Sequence, residues 1–425
     1  MKICTIGLGY IGLPTSIMFA KQNMEVVGVD IKSDVIELLN FGQSPIMEPG
    51  LQDAIKETIN KGTFRASGVP ERADAFIISV PTPNNNDQYK SLDISFILKA
   101  LDSIIPYLEK GNLLIIESTI APKTMEDFVK PIIEAEGFTI GIDLFLVHCP
   151  ERVLPGNILY ELIYNERVIG GVTPECTEAG AKLYSTFVKG KIIKTNSRTA
   201  EMVKIAENTY RDVNIALVNE LTEACNALDT DVLDVINIAN RHPRVNLHMP
   251  GPGVGGHCIP VDPNFLISKT PENTQLIQLS RRINDSMPIY VLNSIKKLMK
   301  QINGKIVTLF GITFKGNVDD IRNSPAIEIF NILKMEGDFE VRVYDPYVLN
   351  DIVEKNIESA ISNSDLVVIL SNHEDFKIIN SEKLNIMNNP RVFDTVNVVA
   401  NKNDSFIYIN YGNLYQHLNK VVVPF

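Results

Sequence analysis

Cysteine is scarce in this 425-residue chain. The five present (Cys4, Cys149, Cys176, Cys225 and Cys258) are scattered and form no CxxC pair. That excludes a disulfide scaffold and a zinc ribbon, and it points to a reducing compartment. No apolar run reaches the ~18 residues that a membrane span needs. No signal peptide is visible before the first apolar segment. A soluble, cytoplasmic protein is expected. Positive charge is in deficit, with 40 Lys and Arg against 51 Asp and Glu and a net charge of −11. A chain this acidic is a poor non-specific binder of nucleic acid or anionic membrane, so neither is an expected partner. Any phosphate must be met by local groups. The six histidines are too dispersed for a metal centre, and no metal is expected. What is there is an ordinary globular mix, 45% apolar and 21% charged, which excludes wholesale disorder. At roughly 150 residues per domain the length gives two or three domains.

Short apolar runs alternate with helical stretches. Lys2 to Gly7, Val26 to Asp30, Ala75 to Val80, Leu113 to Glu117 and Leu144 to His148 read as strands; Pro14 to Gln22 and Ile94 to Leu108 read as helices. The pattern returns in the C-terminal third, with strands at Ile306 to Phe310, Val341 to Asp345, Asp365 to Leu370 and Arg391 to Asp394, and a helix around Ala326 to Lys334. Alternation of this kind implies parallel sheets covered on both faces. Between them, Ser197 or Thr199 can cap a helix that runs to about Ala227, supported by Glu207 and Arg211 at i,i+4 and about 40 Å long. The segment from Asn240 to Gly256 holds three prolines and four glycines and must be an irregular loop. The expected fold is α/β: two Rossmann-like doubly wound domains (1–195 and 301–425) joined by a long central helix within a helical middle domain (196–300). The second Rossmann-like unit lacks a clean glycine fingerprint.

Three motifs carry chemistry. In Gly7-Leu8-Gly9-Tyr10-Ile11-Gly12, between a strand and a helix, glycines permit a tight turn and close approach of a pyrophosphate to the helix N-terminus. Asp30 closes the next strand, where it can take the ribose hydroxyls and repel a 2′-phosphate, which favours NAD over NADP. In the second motif, Cys258 follows the glycine loop Gly251 to Gly256 near the expected start of a helix, with Asp262 four residues on. Helix N-termini stabilise thiolates, and the glycines are expected to leave room for a substrate. In the third, Lys204 and Asn208 share one helix face and suit polarisation of an oxygen at a reacting carbon. A lone cysteine is more often a small core residue, and a Lys–Asn pair is more often a solvated face; the residues alone leave both open. Glu151 and Thr119 follow strands, where ligand sites lie in open parallel sheets. Lys315 and Arg322 follow the first strand of the second unit, and Arg241, His242 and Arg244 sit in the flexible loop.

Along nearly its whole length the sequence resembles the UDP-glucose/GDP-mannose dehydrogenase family. The residues that carry this are Gly7 to Pro14, Val80-Pro81-Thr82-Pro83, Glu117-Ser118-Thr119, Cys149-Pro150-Glu151-Arg152, Glu201 to Lys204 with Asn208, Gly255-Gly256-His257-Cys258 with Asp262, and Phe314-Lys315 with Asp320, Arg322 and Ser324. Arg211 to Ala216, Ala239 to Asn246 and Pro250 to Cys258 resemble the UDP-N-acetylhexosamine branch, the UDP-N-acetyl-D-mannosamine dehydrogenases. Val261 stands where UDP-glucose enzymes commonly have a lysine, and Pro155 where a second glutamate often contacts the cofactor. Those two contacts are not carried over, and their loss counts against glucose as substrate.

The resemblance implies a four-electron, NAD-dependent oxidation of a UDP-sugar at C6, for surface and capsule polysaccharide synthesis. Cys258 would form a thiohemiacetal and then a thioester, which water hydrolyses. Lys204 and Asn208 would stabilise the oxygen at C6, Glu151 or Asp262 would activate water, and Thr119 would position it. The implied NAD contacts are Gly7, Gly9, Tyr10, Ile11, Gly12, Asp30, Pro81, Thr82, Thr119 and Arg322. The implied substrate contacts are Glu151, Arg152, Val153, Leu154, Lys204, Asn208, Arg211, His242, Arg244, Gly255 and Lys315, some of them possible contributions of a second subunit to a homodimer. N-acetylmannosamine is the expected sugar, with UDP-N-acetylglucosamine and UDP-glucose as alternatives. A hydroxyacid dehydrogenase that removes one hydride, or an epimerase that retains its NAD, would leave Cys258 without a role.

Overall fold

The computed structural model describes residues 1–154, 156–379, 381–401 and 405–418; Pro155 lies outside them. The chain divides into two compact units. One comprises Met1–Glu207 with Asn264–Pro271, and the other begins with Asn208–Pro263 and resumes at Glu272.

The first unit is built on eight strands: β1 (Lys2–Ile6), β2 (Glu25–Val29), β3 (Phe64–Ser67), β4 (Ala75–Ile78), β5 (Asn112–Ile116), β6 (Leu144–His148), β7 (Arg167–Gly171) and β8 (Ile192–Asn196). Their order in the sheet is β3-β2-β1-β4-β5-β6-β7-β8. The first six are parallel, β7 runs antiparallel to β6, and β8 is parallel to β7. Central strands such as β4 (Ala-Phe-Ile-Ile) are buried on both faces, which only an unbroken apolar run allows. The edge strand β3 alternates instead, with Phe64 inward and Arg65 outward.

The second unit carries β9 (Ile306–Phe310), β10 (Glu340–Tyr344), β11 (Leu366–Ile369), β12 (Arg391–Asp394) and β13 (Ile407–Asn410). They form one fully parallel sheet in the order β10-β9-β11-β12-β13. The helix Pro325–Glu336 begins with Pro325 after Ser324, whose hydroxyl accepts from Ala326 N, and stops at Gly337 in the left-handed region. This is the usual placement of proline inside the start and glycine past the end. The fold is thus the expected pair of parallel α/β sheets with a long connecting helix.

That helix is Ser197–Ala227, 31 residues and about 46 Å long. Its cap corrects the expectation of Ser197 or Thr199. The Asn196 carboxamide oxygen accepts from Thr199 N at 2.9 Å, so the last residue of β8 starts the helix. The Glu207–Arg211 support is also replaced, because Glu207 pairs with Arg152, 2.6 Å away. Between Ala239 and Asp262 there is neither helix nor strand, as the prolines and glycines require.

Candidate active site

Because β1 to β6 are parallel, their C-terminal ends share one edge of the first sheet. The strand order places Asp30, the Gly7–Gly12 turn, Pro81 with Thr82, Thr119 and Glu151 along that edge in sequence. Each motif glycine has its own reason. A Cβ on Gly7, at φ +94°, would lie 2.3 Å from Ser79 O, and one on Gly12 would lie 2.0 Å from Gly7 O. Those two are fixed by the turn and by close packing of the helix Gly12–Lys21. A Cβ on Gly9 would meet nothing within 4 Å. The open face above Gly9 fits a pyrophosphate that needs backbone approach. Tyr10 and Ile11 are half-buried beside it. The Asp30 carboxylate accepts from Leu8 N and Lys32 N, both at 3.0 Å, and so braces the turn from the end of β2. Pro81 is exposed, while Thr82 and Thr119 are half-buried; Ser118 ties the two segments together by accepting from Val80 N and donating to Val80 O.

Glu151 lies three residues beyond β6 and is 6% exposed. Its Oε1 accepts from Arg152 N at 2.5 Å. The Arg152 side chain is engaged by the Glu207 carboxylate and by Glu166 O, so this expected substrate contact is already part of the loop's framework. Val153 is half-buried and Leu154 is exposed, with Leu154 N donating to Glu161. The loop is pinned further on by Glu48, which accepts from Gly156 N and Ile158 N. His148, at the end of β6, is fully buried with Nδ1 2.9 Å from Ile116 O. Burial, and then the Lys204 charge, push it down to about 4, so it is a neutral ring. The Lys204 charge is thus felt at His148, the last residue of β6.

In the second unit the thiol residue is set by its own turn. Cys258 O accepts from Val261 N and Asp262 N at 3.0 and 2.8 Å, immediately before the helix Asp262–Lys269. Cys258 is half-exposed, whereas the other four thiols are buried. Asp262 is 3% exposed, and its Oδ2 accepts from Asn208 Nδ2 at 2.6 Å. Cys258, Asp262 and Asn208 are thus brought together, although Asn208 lies 50 residues upstream in sequence.

The glycine loop corrects one expectation. A Cβ on Gly255 would lie 2.7 Å from Asn323 O and from Phe314 Cβ, and one on Gly256 would lie 2.8 Å from the Phe314 ring. The space these glycines open is filled by the chain itself, so their role is close packing against the segment after β9. Gly256 N donates to Arg322 O, and Asn323 Nδ2 donates to Gly256 O. Arg322, expected at the cofactor, has its fork on Asp320, with Nη2 3.4 Å from His257 Nδ1. Lys315 lies past the end of β9 and is half-buried; its carbonyl accepts from Thr313. Arg211, Arg241, His242 and Arg244 are exposed. His242 Nδ1 accepts from Arg244 N at 3.3 Å, and Asn240 closes the loop through both Leu247 backbone groups.

The second sheet repeats the first turn without its fingerprint. Gly7 N donates to Val29 O and Gly311 N to Tyr344 O, both at 2.8 Å. Asp345 accepts from Ile312 N as Asp30 does from Leu8 N. Gly311, at φ +81°, was not singled out in the sequence, since it stands alone without a second or third glycine. Its signal was the combination of a strand, a glycine and an acid closing the next strand.

Comparison with known proteins agrees with this geometry. Residues 1–188 match the NAD binding domain of the UDP-glucose/GDP-mannose dehydrogenase family, 198–286 its central domain and 308–401 its UDP binding domain. The chain is 46% identical over 404 residues to a UDP-N-acetyl-D-mannosamine dehydrogenase of Methanocaldococcus jannaschii, covering 94% of this chain and 92% of that protein. It is 42% identical over 396 residues to an NDP-N-acetyl-D-galactosaminuronic acid dehydrogenase of Ralstonia nicotianae, covering 90% and 93%. The native structure of the UDP-N-acetyl-mannosamine dehydrogenase Cap5O from Staphylococcus aureus superposes with a TM-score of 0.94 at 55% identity, covering 99% of this chain and 100% of that one. With the open turn over Gly9 in the matched NAD binding part, and all three parts matched in order, the chain belongs to the UDP-glucose/GDP-mannose dehydrogenase family and is an NAD-dependent enzyme of that family.

Proposed function

We propose that this chain oxidises C6 of UDP-N-acetyl-D-mannosamine to the uronic acid, with two NAD and one water consumed per sugar, for surface polysaccharide synthesis. The observation that carries the chemistry is the half-exposed Cys258 in its turn, with the buried Asp262–Asn208 pair beside it. In this reading residues 1–195 hold NAD, 196–300 supply the catalytic helix, and 301–425 hold UDP. NAD bound over Gly9 supplies the hydride acceptor. Cys258 Sγ adds to the C6 aldehyde and holds the carbon through the thioester stage, which keeps the aldehyde from escaping. Lys204 Nζ and the second N–H of Asn208 stabilise the oxygen on C6. Asp262 is committed to Asn208, whereas Glu151 Oε2 is buried without a hydrogen-bond partner. Glu151 is therefore the base that takes the proton of the hydrolytic water, and Asp262 orients Asn208.

The names of the Methanocaldococcus and Staphylococcus relatives support N-acetylmannosamine; the Ralstonia relative supports an N-acetylgalactosamine-type sugar as the second reading. An N-acetyl group offers a donor and an acceptor, and a site shaped for it leaves them unpaired with glucose, at roughly 1–3 kcal/mol each. We expect kcat/KM for UDP-N-acetylmannosamine to exceed that for UDP-glucose by about ten- to a hundredfold, with two NADH per sugar. Better activity with UDP-glucose overturns the sugar assignment. One NADH per sugar indicates a single-hydride dehydrogenase, and none indicates an epimerase. The helix Ser197–Ala227 exposes Met202, Tyr210 and Leu217, which fall within one ~80° sector at 3.6 residues per turn. This stripe supports a homodimer through that helix. The scattered cysteines support a cytoplasmic location, and among the described residues no helix is long and apolar enough to cross a membrane.

A further inference from the structure

A buried ionic cluster behind Glu151 involves a residue that the proposed mechanism does not use. Arg167 opens β7 and is 6% exposed. Its guanidinium is held at three points. Nη2 is 2.6 Å from Glu117 Oε1, Nε is 3.1 Å from Cys149 Sγ, and the group lies 4.4 Å over the Tyr184 ring. The Tyr184 hydroxyl donates to the same Glu117 oxygen at 2.6 Å. What remains is Nη1, and it lies 3.3 Å from Glu151 Oε2. That contact is an ion pair without hydrogen-bond alignment, which leaves the Glu151 oxygen able to accept from water. Glu151 and Arg167 also line one cleft together with Val153, Glu161 and Asn165.

We propose that Arg167 is the positioning residue for the reaction, holding the Glu151 carboxyl group aimed from behind. Burying a cation costs several kcal/mol unless its partners are fixed, and an arginine fork is rigid enough to serve two carboxylates at once. The charge balance fits one pair. Burial pushes the Cys149 thiol up to about 11, so it is neutral at pH 7. Burial also pushes Glu117 up to about 7, against the pull of Arg167 and with the push of Glu151. When Glu117 holds its proton, the guanidinium charge belongs to Glu151. The titratable groups that face Glu151 are Arg167 on β7, Glu117 beyond β5 and Cys149 beyond β6, with Tyr184 of the helix Pro174–Tyr184 behind them on Glu117 and Arg167. The further charges nearby are Arg152, paired with Glu207, and Lys204 near His148.

This inference rests on the reading of Glu151 as the base, and the experiment separates the two. Wild-type enzyme with NAD and UDP-N-acetylmannosamine is assayed for NADH per sugar and for kcat against pH. Two NADH per sugar together with an acid limb in the wild-type profile support the reading; one NADH per sugar, or a profile with no acid limb, overturns it. Arg167→Lys keeps a charge but loses the fork. We expect the acid limb of its kcat profile to move up by about half a pH unit or more, with KM for the sugar nucleotide within about threefold, since Arg167 touches no sugar in this reading. If Arg167→Lys does not fold, the double variant Arg167→Met with Glu117→Gln replaces it. That core holds no orphan cation, and the same upward displacement is expected. Two NADH per sugar with an acid limb that Arg167→Lys leaves unmoved, or a loss confined to KM, overturns the inference alone.

Discussion

Cys258 shows how much a single position depends on its backbone. Its carbonyl accepts two N–H groups of the following turn, which fixes the residue just ahead of the helix Asp262–Lys269. Cys258→Ala should abolish the overall oxidation to the uronic acid while leaving NAD affinity within about twofold, because the dinucleotide turn is built from other residues. Isothermal titration with NAD and an assay of the uronic acid formed check both halves. Wild-type turnover by the alanine variant would sink the nucleophile assignment. Cys258→Ser is the sharper probe. A hydroxyl can add to the aldehyde but is a poor leaving group, so an ester adduct should accumulate and be visible in the intact mass. His242, implied by the resemblance as a substrate contact, accepts from Arg244 N within its own loop.

At the scale of the element, the turn between β1 and its helix separates packing from binding. Gly12 has backbone 2.0 Å from any added Cβ, whereas Gly9 has open space. Gly12→Ala should lower stability by about 1–3 kcal/mol or more, as overpacking does. Gly9→Ala should leave the melting temperature unchanged but weaken NAD binding at least about tenfold, since its methyl occupies the pyrophosphate approach. Thermal melts with and without NAD distinguish the two. Equal effects of both variants on stability would mean that Gly9 has only a turn role. The motif was legible in the sequence as a whole, but the division of labour among its glycines was not. The glycines after Pro250 teach the same lesson in reverse. They read as room for a ligand, yet Phe314 and Asn323 fill the space at Gly255.

Over the whole molecule, the buried ionisable groups give folding a pH dependence that differs from that of an exposed set. Burial pushes Glu117 and Glu201 each up to about 7, and pushes His148 down to about 4. Between about pH 4.5 and 7 the folded chain keeps protons on the two carboxyls that the unfolded chain has released, so their contribution to stability falls as pH rises through that window. His148 acts the other way, because below about 6.5 the unfolded ring takes up a proton that the folded one refuses. Glu117→Gln imitates the protonated carboxyl and can still accept from Arg167 and Tyr184. Its melting temperature should match wild type near pH 5 and exceed it by a few degrees near pH 8. A gap that does not change with pH would contradict a proton on Glu117.

The sequence by itself determined the two parallel sheets, the long helix, the dinucleotide turn and the cysteine loop. Those signals are local: apolar runs of strand length, glycines at fixed offsets, and an acid at the end of the next strand. It also placed Thr119 and Glu151 correctly beyond strand ends, because the C-terminal edge of a parallel sheet is common to all its strands. Only the tertiary structure decided which side chains meet. Asn208 reaches Asp262 across 54 positions, and Arg167 reaches Glu117 across 50, Glu151 across 16 and Cys149 across 18. Nothing local distinguishes Arg167 from any arginine at the start of a strand. Its burial follows from β7 running antiparallel beside β6, which turns its first residue toward the end of the sheet where Glu117 and Glu151 lie. Partners of this kind are fixed by strand order and packing, and a residue's own chemistry does not name them.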